Sequence, residues 1–409
     1  MKQSHELSSP ETIRLKMLAF SCGAMISEDR MTSSGNRLKE KLKEIRHDID
    51  VNVRNVLYPD LHNEIVASMM AGGTEYDVFM MDNIWMSEFV EAGWLKDITK
   101  YIPPGIKKGF FSAALEAAEY PAGSGKYYAL PWYIDTKYFF YNKRMLAKAG
   151  IKKPPKTLDE LLSQAMTMKK KGIVKYPIVW SWAQHECLIC DYLILTTLFG
   201  GRLVDEAGKP IFNEGGAVAA LKWMAKSIDI GITNYASLAF TEPDMARTLG
   251  AGDAAFALDW LSHYEELNRP EFLAGGCGIA NVPGSDLLPE GASINGSTFI
   301  AVSANCRNTS AAMELIKFWT GADPQESYVK WLFPVHMRLF DTPKMLLEGI
   351  FDITDIVKYQ YEHMITRPRI PRYAAFSKEL QQAIHEALTK AKTPQKALNE
   401  AAKRFIKQC

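Results

Sequence analysis

The sequence predicts an α/β fold arranged as two lobes with a helical C-terminal tail, and three observations predict it. Strand-type alternation trades places with helical periodicity along residues 13–93. A second series of the same kind runs over 126–320, and from 324 onward the pattern is helical. A chain of 409 residues exceeds the soft prior of about 150 residues per domain, and one sheet holding all these strands would be unusually large.

The elements follow in order. Residues 13–20 (IRLKMLAF) alternate apolar and polar, as a half-buried strand does. Residues 33–45 are polar, then periodic, with Leu38, Leu42 and Ile45 on one helical face. Residues 51–57 form a second strand, and 61–70 an amphipathic helix stopped by Gly72-Gly73. The run 76–81 (YDVFMM) is a short apolar strand of the buried, parallel kind. A helix over 84–92 ends at Gly93. This β-α-β-α-β-α order is the grammar of a doubly wound sheet.

The aromatic run 126–141 is strand-like, with a break at Pro131. A helix over 142–149 ends at Gly150. Thr157 N-caps the helix 158–171, with Glu160 in the capping-box position. Strands are expected at 178–182, 254–259, 277–282 and 298–302, and helices at 187–199, 216–228, 242–249 and 310–320. The tail, 324–409, reads as helical throughout, punctuated by Pro343, Pro368 and Pro371.

Composition narrows the function. Lys plus Arg is 48 against 47 for Asp plus Glu, a net charge of +1, which argues against nucleic acid as a partner. The apolar fraction of 47% and charged fraction of 23% belong to a folded chain. Aromatics reach 11%, with 9 Trp and 17 Tyr, which favours a site that stacks on something flat or sugar-like. The longest stretch without Asp, Glu, Lys or Arg, 291–306, is too short and too polar to span a bilayer. Residues 1–11 (MKQSHELSSPE) carry no apolar core of a signal peptide, so the expectation is a cytoplasmic protein or one whose export signal is absent from this chain.

Several motifs point nowhere. Cys22, Cys187, Cys190, Cys277, Cys306 and Cys409 are too few for a disulfide scaffold. Cys187-Leu188-Ile189-Cys190 has redox spacing, with His185 two residues before it, but it opens an apolar helix and reads as buried small hydrophobes. No G-x-G-x-x-G follows a strand. Gly123-Ser124-Gly125-Lys126 is followed by Tyr127 where a phosphate loop needs Ser or Thr, and reads as a turn between a helix and a strand. There is no G-x-S-x-G and no H-E-x-x-H, and the His residues are scattered. No cofactor and no metal are expected.

Aromatic and polar residues cluster at expected strand ends, where open α/β sheets bind ligands. The clusters are Asp82-Asn83-Ile84-Trp85; Pro131-Trp132-Tyr133-Ile134-Asp135; Trp180-Ser181-Trp182 with Gln184; Asp259-Trp260; and Asn295-Gly296-Ser297. A neutral polyol needs such pairs: the C–H face of a sugar packs on an indole or phenol, and its hydroxyls bond to carboxylates and amides. Selectivity then comes from buried polar partners that a ligand lacking a hydroxyl leaves unpaired.

At these residues the chain resembles a known family, the family 1 extracellular solute-binding proteins of the maltodextrin-binding type, which serve ABC sugar importers. The most specific match is Gly125-Lys126-Tyr127-Tyr128-Ala129-Leu130-Pro131 followed by Tyr141-Asn142-Lys143. Tyr76-Asp77-Val78 through Ala92-Gly93-Trp94-Leu95, Pro154-Pro155-Lys156-Thr157 with Leu158-Asp159-Glu160-Leu161, Phe199-Gly200-Gly201, Gly252-Asp253-Ala254-Ala255-Phe256 and Ala311-Ala312-Met313-Glu314-Leu315-Ile316-Lys317-Phe318 extend it.

The resemblance implies a periplasmic-binding-protein-like type II fold: lobe one over 1–133 plus 300–321, lobe two over 134–299 plus 322–409, and hinge crossings near 133–135, 298–300 and 320–323. It implies a sugar or oligosaccharide held in an interlobe cleft by hinge closure, without catalysis. The contacts would be Asp82, Asn83, Trp85, Trp132, Tyr133, Asp135, Trp182, Gln184, Trp260, Asn295, Gly296, Arg372 and Tyr373. The implied partners are a carbohydrate ligand and an ABC transporter membrane permease, for a monomer outside the cytoplasm. The usual lipid-anchor Cys near the start is missing, and six Cys exceed what most exported relatives carry.

Two rival readings remain at this stage. One is a cytoplasmic sugar-sensing effector domain of a transcriptional regulator, which the missing signal and the thiols permit. The other is a carbohydrate-active enzyme using a carboxylate pair such as Asp135 and Asp259, although nothing in the sequence sets the two about 5–9 Å apart.

Overall fold

Eleven strands are present among the described residues, which are 12–21, 40, 42–44, 46–326, 334–342 and 353–408 of this computed structural model. They are β1 (Ile13–Ser21), β2 (Ile49–Leu57), β3 (Val78–Asp82), β4 (Ala129–Tyr133), β5 (Lys137–Asn142), β6 (Ile178–Val179), β7 (Phe256–Trp260), β8 (Cys277–Ala280), β9 (Ser293–Ile294), β10 (Thr298–Val302) and β11 (Met364–Ile365). The chain divides into two compact units, Met1–Ile134 with Ser297–Phe351, and Asp135–Gly296 with Asp352–Cys409.

The first unit is built on a five-stranded sheet in the order β2-β1-β3-β10-β4. Strand β1 runs parallel to β2 and β3, while β10 returns antiparallel between β3 and β4. Every residue of β3 and β10 is buried, which is why VFMM and TFIAV read as continuous apolar runs rather than alternating ones. Helix Tyr58–Met70 starts before the expected 61 because Pro59, with its fixed φ and missing N–H, suits the first turn. The expected helix 84–92 divides into a 3₁₀ turn, Asn83–Trp85, and helix Met86–Glu91. Most of the helix expected over 33–45 lies outside the described residues; 40 and 42–44 are helical and Leu42 is buried.

Two expectations for this unit are corrected. Pro131 does not break the chain: β4 runs through it, paired with β10 on one side only, and a sheet edge tolerates a residue that cannot donate. The break falls after Tyr133, before β5 begins at Lys137. Residues 322–326 and 334–342 belong to the first unit, not to the second lobe as expected from 322 onward. Gln325 holds them there, its amide donating to the Trp132 carbonyl at 2.9 Å and accepting from the Val335 N–H at 2.9 Å. The N–H of Phe111 donates to the Val335 carbonyl at 3.1 Å, joining the same segment to the unit.

The second unit carries a four-stranded sheet, β6-β7-β5-β8, and the parallel pair β11-β9. Asn142 caps helix Lys143–Ala149 by accepting from the N–H groups of Arg144 and Met145, and Gly150 closes it at φ +76°, where a side chain would be strained. Thr157 caps helix Leu158–Lys170 through the Glu160 N–H at 3.1 Å, but the Glu160 carboxylate reaches back to the N–H of Lys156, one residue beyond the capping-box position.

The strand expected over 178–182 stops at Val179. The backbone N–H groups of Trp182 and Ala183 bond instead to the carbonyls of Ser237 and Phe240 in a neighbouring loop. Helix Glu186–Leu198 is buried along almost its whole length against Gly215–Asp229 and Tyr373–Leu388, so it shows no amphipathic stripe. The tail is not helical throughout: β11 lies between helices Thr354–Glu362 and Tyr373–Leu388, helix Pro394–Gln408 follows, and Met337–Asp341 is a 3₁₀ turn.

Candidate functional site

In the first unit, β3 and β4 point the same way, and their C-terminal residues Asp82 and Tyr133 both pair with Thr298 at the start of β10. Asp82 Oδ1 accepts from the Ile84 N–H at 3.2 Å, which caps the 3₁₀ turn and sets the direction of Trp85. The hydroxyl of Tyr58 donates to Asp82 Oδ2 at 2.5 Å. The Tyr58 and Trp85 rings stack with centroids 6.0 Å apart at 20°, and His62 lies 5.2 Å from Trp85. His62 Nε2 is 3.0 Å from Glu88 Oε2. Asn83 is buried, with its amide 3.4 Å from the Ser297 carbonyl.

In the second unit the meeting point is the end of β7. Trp260 pairs with Lys137 at the start of β5, and its indole N–H donates to Glu242 Oε1 at 3.3 Å. Its ring lies over Gly296, whose N–H donates to the Asp135 carbonyl at 3.0 Å. Asn295 is fully buried and its N–H donates to the Ile365 carbonyl at 2.8 Å, which seats 295–296 on the tail segment. Lys137 Nζ is 5.6 Å from the Trp260 ring centroid and 2.6 Å from Asp191 Oδ1, with both side chains wholly buried. Beneath Trp260, Asp259 accepts from the Trp260 N–H at 2.8 Å, and its Oδ2 is 2.9 Å from His263 Nδ1. Burial pulls the His263 pKa down, but the Asp259 carboxylate more than offsets it, and the net direction is up.

The expected site residues therefore separate. Asp82, Asn83 and Trp85 come together in one unit, with Tyr133 at the neighbouring strand end. Asp135, Trp260 and Gly296 come together in the other, with Asn295 seating the loop. Trp132 and Trp182 have 1% and 0% of their surface exposed. Trp132 packs on Trp319 at 6.1 Å, and Trp182 stacks on Trp180 at 5.0 Å and 12°. Both are interior rings of their units, where the strand-end pattern expected ligand contacts. Gln184 is exposed, and so is Arg372, at the N-cap of helix Tyr373–Leu388. Tyr373 is buried and donates to Glu186, which also accepts from Ser377 Oγ at 2.7 Å and Arg367 at 3.0 Å. Burial first, and Glu186 second, hold the Tyr373 phenol well above its ordinary pKa.

Sequence reading missed Tyr58, His62, Glu242, Glu186 and Arg367. No motif marks them, because each reaches its partner from a different element. The four described cysteines, Cys187, Cys190, Cys277 and Cys306, are buried free thiols. Burial pushes Cys190 up to about 12, which makes it a poor nucleophile. Cys22 and Cys409 lie outside the described residues. No helix among the described residues is long and apolar enough to cross a membrane.

Comparison with known proteins shows a family and a fold. A family model described as bacterial extracellular solute-binding protein matches residues 29–326. A probable ABC transporter-binding protein of Deinococcus radiodurans is 27% identical over 344 residues, covering 80% of this chain and 79% of that one. A maltotriose-binding protein of Pyrococcus abyssi is 35% identical over 159 residues, 38% of this chain and 32% of its own. Among solved structures, maltose-bound T. maritima MalE3 superposes with a TM-score of 0.83 at 27% identity, over 97% of this chain and 100% of that one. A solute-binding protein of Agrobacterium radiobacter in complex with ribitol superposes with a TM-score of 0.83 at 21% identity, over 98% and 100%, a likeness of fold.

Proposed function

Because the chain belongs to the bacterial extracellular solute-binding protein family, we propose that it is the substrate-binding component of an ABC-type importer and that it captures a sugar, oligosaccharide or related polyol outside the cytoplasm. The observation that carries the ligand class is the pairing of a ring with a carboxylate in each unit: Trp85 and Tyr58 around Asp82 in one, Trp260 beside Glu242 in the other. An indole covers the apolar face of a sugar ring, and a carboxylate accepts from its hydroxyls. The ligands named for three of the proteins compared, maltotriose, maltose and ribitol, are neutral and rich in hydroxyls. In this reading Asp82, Asn83, Trp85, Tyr133, Asp135, Trp260, Asn295 and Gly296 form the ligand contacts, and a membrane permease receives the loaded protein.

Binding without chemistry is part of the proposal. Asp259, one of the two carboxylates considered for a glycosidase pair, is fully buried, with one oxygen on the Trp260 N–H and the other beside His263. Both of its oxygens thus serve the fold of the second unit.

Calorimetric titration with maltose, maltotriose, ribitol and a wider panel of neutral saccharides tests the reading. The expected result is one-to-one, heat-releasing binding of at least one member, with Kd of about a micromolar or tighter. Flat titrations across the panel overturn it, and so does release of monosaccharide from a bound oligosaccharide during prolonged incubation.

A further inference from the structure

We propose that the second unit holds a divalent transition-metal site of the zinc class, formed by His185, Cys187 and Glu242. One ligand atom from each of these residues lies within 4.8 Å of the other two. A point no more than about 2.8 Å from all three (that separation divided by √3) therefore exists, against metal–ligand distances of about 2.0–2.3 Å for zinc. Inward side-chain shifts of well under an ångström complete the coordination.

Two helix starts bring the ligands together. His185 is the N-cap of helix Glu186–Leu198, and Cys187 lies in that helix's first turn. Glu242 is the first residue of helix Glu242–Gly250, whose start is locked by the reciprocal Thr241–Asp244 capping box. A metal ion needs the thiolate and the carboxylate, and it displaces the Cys187 proton as it binds. His185 Nδ1 is buried and has no hydrogen-bond partner among the described residues, so its lone pair is uncommitted in the Nε2–H tautomer. The indole N–H of Trp260 donates to Glu242 Oε1 at 3.3 Å and holds that carboxylate, as an outer-shell partner does.

Donor chemistry selects the ion. Nitrogen, thiolate and one carboxylate oxygen suit zinc and its neighbours and disfavour magnesium and calcium, which want oxygen alone. The charges also balance: a divalent cation with one thiolate and one carboxylate is neutral, beside the Lys137–Asp191 pair, itself neutral overall. Three protein ligands leave one tetrahedral position for water. Binding releases the Cys187 proton to solvent and involves no change of oxidation state.

The site shares Glu242 and its partner Trp260 with the sugar reading, but it needs no sugar in place, so a protein that failed to bind any sugar would still take up the ion. The test is titration of the chelator-treated full chain with Co²⁺ under reducing conditions. One equivalent is expected to produce a near-ultraviolet thiolate-to-cobalt charge-transfer band, which Zn²⁺ then removes stoichiometrically. Cys187→Ser abolishes the band, while Cys190→Ser keeps it. Glu242→Gln and His185→Ala weaken Co²⁺ binding by about tenfold or more. Absence of the band, or its survival in Cys187→Ser, overturns the proposal. His185→Ala changes a half-exposed residue and covers the case in which the buried Cys187→Ser variant misfolds; cobalt affinity unchanged in His185→Ala also overturns it.

Discussion

A β-carbon on Gly296 would lie 2.5 Å from Cζ3 of Trp260, so the indole rests on the bare backbone of residue 296. The Gly296 N–H is at the same time held by the Asp135 carbonyl at 3.0 Å, which stops the backbone from retreating. Ring orientation at the end of β7 is thus set by the absence of a side chain on a segment 36 residues later in the chain. Gly296→Ala is expected to push the ring aside. Sugar affinity should fall at least about tenfold with a shift in tryptophan emission, and stability should fall by about 1–3 kcal/mol from overpacking. Calorimetry, fluorescence and urea unfolding on one preparation read all three.

Rings of different burial should separate binding from stability. Trp85→Ala and Trp260→Ala are expected to weaken sugar binding about 10- to 100-fold, the range for an aromatic anchor. Trp182→Ala removes an interior ring stacked on Trp180 and should cost about 3–5 kcal/mol in urea unfolding. Titrated well below its lowered midpoint, that variant should keep most of its affinity.

The Lys137–Asp191 pair, 2.6 Å apart and fully buried, predicts an asymmetry between single and double substitutions. Lys137→Met alone leaves a buried carboxylate without its cation and should cost about 3–5 kcal/mol. The double variant Lys137→Met with Asp191→Leu should recover most of that loss. Urea midpoints for the three proteins check it; equal losses in the single and double variants would remove the pair from the account.

Two histidines predict pH dependences of opposite sign. His263 has a folded pKa above its ordinary value, because Asp259 more than offsets burial. Its stabilisation is complete below about 6.5 and is lost as pH rises through the folded value. His336 is pulled below its ordinary value, first by burial, and its ring stacks on Phe110 at 4.5 Å with Nε2 2.6 Å from the Thr320 carbonyl. The unfolded chain then binds a proton that the folded one refuses, so this contribution is lost as pH falls below about 6.5. His263→Gln should flatten the alkaline loss and His336→Gln the acid one, read as urea midpoints against pH.

Glu186 collects Arg367, Tyr373 and Ser377, and Arg367 is 3% exposed. Glu186→Gln removes a counter-charge 3.0 Å from the buried Arg367 guanidinium and should cost about 3–5 kcal/mol. Hydrogen exchange should quicken first over 364–377, the stretch this carboxylate ties down.

Local signals were legible wherever neighbouring residues decide the structure. Gly150 stops its helix and Thr157 caps the next one as their positions foretold, and β10 carries the unbroken apolar run of a buried strand. Pro131 misled because its tolerance depends on which strand lies alongside, and β4 has a neighbour on one side only. The 178–182 strand was cut short because the N–H of Trp182 found its acceptor at Ser237, beyond the reach of any local pattern. For the site, alternation of rings and carboxylates at strand ends marked Asp82, Trp85 and Trp260. It marked Trp132 and Trp182 equally, since periodicity cannot tell a ring beside a strand-end carboxylate from one packed on Trp319 or Trp180.

By itself the sequence determined most of the strands and helices, several of their caps and stops, and which family the residues around Tyr127–Pro131 and Tyr141–Lys143 resemble. Those properties depend on backbone dihedral preferences and side-chain period within about ten residues. Only the tertiary structure decided that Tyr58 bonds Asp82, that Trp260 rests on Gly296 beside Glu242, and that His185, Cys187 and Glu242 converge. Each of these is a meeting of elements far apart in the chain, and such meetings are set by how whole faces pack, which no local pattern encodes.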